Sequence, residues 1–119
     1  MSRVEISNNQ GPNVFHTFND SCSGTCITKA TLVEHYTLHS YQFIHDSSGS
    51  SVTIEIQGSN YEENGVAPSS DKYWSKIHSE TLNSGSDLAY YNFWNFKYAR
   101  VKIIGNTGAN ISIAEKHNP

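Results

Sequence analysis

Ser51-Val-Thr-Ile-Glu-Ile-Gln-Gly-Ser-Asn60 and the later run Phe96-Lys-Tyr-Ala-Arg-Val-Lys-Ile-Ile104 both alternate apolar with polar side chains. Val52, Ile54 and Ile56 fall on one face of the first run. Ala99, Val101 and Ile103 fall on one face of the second. Successive side chains of a strand leave opposite faces of a sheet, so period two is the pattern of a half-buried strand. Two such strands, with Trp74 between them in sequence, predict an antiparallel β-sandwich rather than a catalytic cleft.

Working outward, Arg3 to Ile6 reads as a short first strand and Asn8-Asn-Gln-Gly-Pro12 as a turn-rich break. Residues 1–20 are thus an N-terminal arm or the first strands, with a strand resuming over Asn13 to Asn19. Ile27 to Val33 and Tyr36 to His45 are β-branched and aromatic runs of strand length. Gly58 to Lys72 is irregular and rich in turn formers. Tyr73 to Thr81, Leu88 to Phe93 and Asn110 to Glu115 complete the set, with a hairpin turn at Gly105-Asn-Thr-Gly108. The expectation is all-β: one domain over 1–119, a single antiparallel sandwich of jelly-roll or related type with eight or nine short strands.

Charged residues make up 16% of the 119-residue chain, below the roughly 25% of an ordinary domain. The net charge is −3 and the eight lysines and arginines are scattered. A nucleic-acid binder would show a basic stripe, so no nucleic-acid partner is expected. No apolar run approaches the roughly 20 residues of a membrane helix, and no membrane partner is expected. Met1-Ser-Arg-Val-Glu-Ile lacks the apolar core of a secretory signal, which implies assembly in a cytoplasm. In that compartment Cys22 and Cys26 are expected as free thiols in a loop.

Catalytic and metal sites find little support. Cys22, Cys26, His35 and His39 give a C-x3-C and an H-x3-H, but the spacer is too short for a ββα finger. On a strand the two histidines would stand roughly 13 Å apart, so they read as surface side chains. No Gly-x-Ser-x-Gly elbow occurs, and Glu62-Glu63 sits in a loop with nothing to separate the two pKa values. His45 and Asp46 are neighbours on a strand and point apart. We therefore expect no enzyme, no cofactor and no metal.

The aromatic residues are the unusual feature. Tyr90, Tyr91, Phe93, Trp94, Phe96 and Tyr98 crowd one stretch, and both strand parities carry rings. One account folds most of them inward at a bulge or turn marked by Asn92 and Asn95. Another presents Tyr and Trp outward as an interface, and a third makes them a sugar-stacking platform. Tyr61, Tyr91 and Trp94 are the candidates for interface or ligand stacking. Arg100 is a further candidate, either as ordinary surface charge or as a salt link between subunits.

The order strand, Gly58-Ser59-Asn60, loop, Trp74, then Phe96-x-Tyr98-x-Arg100-Val101-x-Ile103 resembles the small β-sandwich virion proteins of tailed bacteriophages. The opening Val4-x-Ile6-x-Asn8-Asn9-Gln10-Gly11-Pro12, followed by Phe15 to Phe18, looks like the start of that group. The central pattern is also similar to discoidin-like (galactose-binding-like) domains. The chain departs from both in its long Tyr61 to Lys72 loop, and Tyr61-Glu62 replaces the usual Asp-Gly, so no ligand-loop residue is carried over.

The resemblance implies a non-enzymatic virion structural protein that decorates or cements the capsid, or attaches at the neck or tail. Its expected partners are major capsid or tail and neck proteins, with the chain present as a homo-oligomer or in many copies. Its expected location is the virion. The alternative it implies is a discoidin-like carbohydrate-binding module, with Trp94, Tyr91 or Tyr61 stacking on a host surface glycan.

Overall fold

The two alternating runs lie side by side at the centre of one sheet. In the computed structural model, which describes residues 13–18 and 22–119, Ile54 pairs with Ile103, Ile56 with Val101 and Gly58 with Ala99. The five apolar side chains that point inward there are at most 2% exposed with Val52 beside them. Each such burial is worth about 1.5–3 kcal/mol, which fixes the register, because a one-residue slip would turn every one of them outward.

Nine strands follow in chain order: β1 (Asn13–Phe18), β2 (Ser23–Ile27), β3 (Thr31–Leu32), β4 (Leu38–His45), β5 (Val52–Ser59), β6 (Ser75–Leu82), β7 (Asp87–Phe93), β8 (Tyr98–Thr107) and β9 (Ile111–Asn118). A single 3-10 turn, Asp71–Tyr73, precedes β6. One sheet runs β1-β9-β4-β7. The other runs β2-β8-β5-β6, with β3 also beside β8. Taking β2 and β3 as one interrupted strand gives two four-strand layers in the order of a jelly roll. The expected strand at Arg3 to Ile6 lies outside the described residues. The expected turn at Gly105 begins later, since β8 continues to Thr107.

The space between the layers divides in two. One end is apolar, built from Phe43, Leu82, Ile111 and Ile113 together with the β5 and β8 residues. The other end continues the same inward parity with polar groups: His39 and Tyr41 on β4, Glu115 and His117 on β9. Gly58 serves a close approach at this end. A Cβ there would stand 2.6 Å from the Phe96 ring and 2.9 Å from Ile77 Cδ1.

Candidate interaction surface

The outer face of the β1-β9-β4-β7 sheet is where the sequence leaves apolar side chains uncovered. Residues of one parity on four strands meet there in register. Phe15 stands beside Ala114, Ala114 beside Gln42 and Gln42 beside Ala89. The neighbouring row sets Lys116 beside Ser40 and Ser40 beside Tyr91. Small side chains on the two central strands make a low floor between bulky edges. Tyr91 is 76% exposed, Phe93 70%, Phe15 57% and Ile44 55%.

Two shallow hollows open on this floor. One, about 380 Å³, lies between Phe15 and Tyr91, and a second, about 500 Å³, lies between Phe15 and Ile44. Lys116 and Asp87 are the ionisable side chains of this parity on β4, β7 and β9. Docking a protein there would desolvate few charges, which removes the largest cost of burying a surface.

The crowded aromatic stretch splits by position. Tyr91 and Phe93 end β7 and point outward. The chain then turns under the sheet: the Trp94 amide donates to the Thr37 carbonyl at 3.0 Å. The Trp94 indole stacks on His39 with ring centres 3.5 Å apart, and Phe96 meets it edge-on at 6.0 Å. Trp94 is therefore half-buried, with one face of its ring taken up by His39. Strand counting gives Trp94 the parity of Tyr90, and both rings pack toward the core.

Arg100 is not an ordinary surface charge. It lies on the outer face of the other sheet but is only 5% exposed, because the 60–74 loop folds back over β8. Its guanidinium covers the Trp74 ring at 4.2 Å. Nε donates to Gln57 Oε1 at 2.6 Å and Nη2 donates to Asp71 Oδ1 at 2.8 Å. The Trp74 indole in turn donates to the Pro68 carbonyl at 2.9 Å, which pins the loop. The hydrogen bond and charge of Arg100 hold the Asp71 carboxyl below the usual range. Two of its nitrogens are thus engaged within its own chain.

Tyr61 is exposed in that loop, with its ring 5.0 Å from Tyr73. The four candidates do not converge. Tyr91 lies on one face, Tyr61 and Arg100 on the opposite side, and Trp94 between the layers.

Sequence reasoning missed a buried polar chain. Glu115 accepts from His16 Nε2 at 2.5 Å on one oxygen and faces His117 Nε2 at 2.9 Å with the other. His117 Nδ1 meets His39 Nδ1 at 2.8 Å, and His39 Nε2 donates to the Trp94 carbonyl at 2.9 Å. Burial is the main force lowering the His39 pKa, to about 4. The Glu115 carboxyl is raised by burial, but bonds from His117 and His16 outweigh that and hold it below its usual value. His39 is thus interior, not the surface histidine expected. The available signal was parity: Glu115 and His117 continue the face begun by Ile111 and Ile113, as His39 continues that of Tyr41 and Phe43.

Cys22 and Cys26 are joined in a disulfide, which corrects the expectation of free thiols. The Cys22 carbonyl is tied to the end of β8 by Asn106 Nδ2 at 3.0 Å.

No protein-family model matches the chain, and no curated protein sequence does. Its fold is similar to that of PirA, with a TM-score of 0.55 at 13% identity over 96% of this chain and 100% of that one. It is also similar to the subunit of Bacillus endospore appendages, described as disulfide-linked pili. There the TM-score is 0.57 at 15% identity, over 99% of this chain and 98% of that one. The Yersinia pseudotuberculosis-derived mitogen matches at a TM-score of 0.45 and 11% identity, over 89% and 86% of the two chains. The first two likenesses establish a shared small two-sheet sandwich.

Proposed function

We propose that this protein is a non-enzymatic structural subunit, held in a multicopy particle by protein–protein contacts through the outer face of its β1-β9-β4-β7 sheet. The observation that carries this reading is the uncovered set Phe15, Ile44, Tyr91 and Phe93 around a floor of small side chains. Contiguous apolar faces of this kind mark interaction sites. Aromatic residues supply contact area with little loss of side-chain freedom. Repetition supplies avidity, so each contact can be individually weak.

The sequence resemblance names the particle as the virion of a tailed bacteriophage, with capsid or neck and tail proteins as partners. A protein of the same fold in the disulfide-linked pili of Bacillus endospores is in keeping with a sandwich serving as a repeated building unit.

The test is co-sedimentation of the purified chain with virions lacking it, against the double variant Ile44→Ser, Tyr91→Ser. The wild-type chain is expected to pellet with particles and the variant to stay in the supernatant, with both unfolding at the same urea concentration. Undiminished pelleting of the variant would sink the docking face. Selective glycan binding without particle binding would replace the reading with a carbohydrate-binding one.

A further inference from the structure

On the side opposite the docking face, the 60–74 loop and the Thr28–Leu32 segment border an open cleft of about 510 Å³ over β8. That is within the roughly 300–1,000 Å³ of small-ligand sites. Its buried lining is Thr28, Pro68, Trp74, Tyr98 and Arg100, while Lys29, Leu32 and Val66 stand exposed around it. Leu32 is 50% exposed and Val66 62%, so two aliphatic side chains border the same cleft without cover.

The polar groups beneath are fixed in place. Arg100 is held by three neighbours: the Trp74 ring below its plane, Gln57 on Nε and Asp71 on Nη2. Gln57 is itself oriented by donating to Glu55 Oε1 at 2.7 Å. Among the described residues nothing accepts from Arg100 Nη1, and the side chain keeps 6% exposure. A guanidinium so braced presents its remaining donors without further ordering cost.

Charge in this region is close to balanced. Asp71 lies 2.8 Å from Arg100 and 4.0 Å from Lys102, and Glu55 stands opposite Lys102 in the ladder. Lys97 is paired with Glu62 and lies 4.0 Å from Glu34, whereas Lys29, on the cleft lining, has no ion pair among the described residues.

We infer that this cleft binds a monocarboxylate with a compact apolar body, its carboxylate taken by Arg100 Nη1 and Lys29 and its body covering Leu32 and Val66. One cation without an ion pair, Lys29, suits one anionic charge. Arginine offers a carboxylate directed donors rather than a point charge. The other hydroxyls of the lining, Thr28 and Tyr98, are engaged by the Val101 amide and by Glu62, which disfavours a ligand studded with hydroxyls, because few partners remain for them. A free small acid and the C-terminus of a peptide share this chemistry.

Two probe pairs distinguish those sources. The first is 3-phenylpropionate against 3-phenylpropanamide; the second is the tripeptide Ala-Ala-Phe with a free or an amidated C-terminus. Binding is followed on the full chain by the Trp74 indole and Arg100 Nε–H resonances. Either acid is expected to shift both signals and to bind about tenfold tighter than its amide. If only the tripeptide acid does so, the source is a chain terminus; if 3-phenylpropionate does so, a small acid suffices. Lys29→Gln is expected to weaken binding about threefold or more, and Leu32→Glu to abolish it by setting a like charge at the mouth. Both positions are exposed, so the fold is kept, and Lys29→Gln alone decides the matter if Leu32→Glu fails to fold. Equal affinity for acid and amide, silence of both signals up to about 5 mM of either acid, or unchanged affinity in Lys29→Gln would overturn the inference.

Discussion

The Nδ1 atoms of His39 and His117 lie 2.8 Å apart between the two sheets, and neither residue is exposed. Two like nitrogens make a hydrogen bond only when one carries a proton and the other does not. The Trp94 carbonyl can only accept, so His39 places its proton on Nε2 and leaves Nδ1 bare. His117 must then donate from Nδ1, which turns its Nε2 toward Glu115 Oε1 at 2.9 Å. That contact also needs a proton, and the His117–Glu115 pair holds it. A chain of assigned protons therefore runs from β1 through β9 and β4 to the turn at Trp94.

Neutral His39 makes stability depend on pH. Its pKa is lowered from 6.5 to about 4 in the folded state, mainly by burial. The unfolded chain then binds the extra proton first, so the contribution is complete above pH 6.5 and is lost as pH falls toward 4. The groups facing it are His117 and Glu115, and the Glu115 carboxyl is held below 4.5, so its own loss begins lower. Urea unfolding between pH 7 and pH 4 is expected to show a fall on the order of 2–3 kcal/mol over that window. In His39→Gln the fall attributable to this residue should vanish, whatever the baseline stability.

Glu115→Gln keeps the shape of the side chain but removes the charge that serves two histidines at once. Breaking a buried charged group away from its partners is costly, and the variant should lose about 3 kcal/mol at pH 7. Equilibrium denaturation measures this directly. A loss under about 0.5 kcal/mol, the size of an ordinary surface change, would contradict the arrangement.

Gly58→Ala places a methyl 2.6 Å from the Phe96 ring and 2.9 Å from Ile77 Cδ1. Overpacking of this kind costs about 1–3 kcal/mol. Phe96→Leu in the same chain should recover part of that loss, and a double-mutant cycle on unfolding free energies reads the coupling.

The disulfide joins residues four apart in sequence, so it restrains only a small loop of the unfolded chain. Chain-entropy reasoning gives such a closure about 2 kcal/mol. Replacing both Cys22 and Cys26 with Ser should lower stability by no more than that and leave the fold intact by circular dichroism. Collapse of the spectrum would show that the bridge does more than shorten a loop.

The sandwich was legible wherever one face of a strand is apolar, as over Val52 to Ile56 and Ala99 to Ile103. Alternation reports the environment of a side chain only while the chain stays extended. Beyond Phe93 the strand ends, yet Trp94 keeps the inward parity of Tyr90 while Tyr98, after the turn, joins the outer face of the other sheet. Arg100 was placed on the correct side of β8, but its cover comes from Trp74 and Asp71, and no local pattern announces that a loop will fold over a sheet. The buried histidines escaped notice because polar residues on an inward parity look, in sequence, like the end of a strand. Of the outward candidates, Tyr91 was legible by its spacing, whereas Phe15 and Ile44 join it only through pairing of distant strands.

Among the described strands, β5 and β6 are the only consecutive ones that pair with each other. β1 pairs with β9, and β8 joins β2, β3 and β5. Neither layer can close until residues 98–118 have emerged, so most of the chain waits for its last quarter. Such non-local pairing places folding in the millisecond-to-second range. Until then only β5–β6 and β4–β7 can pair, and the bare edge of β5 at Val52 to Ser59 is a part of the nascent chain in need of protection from its neighbours.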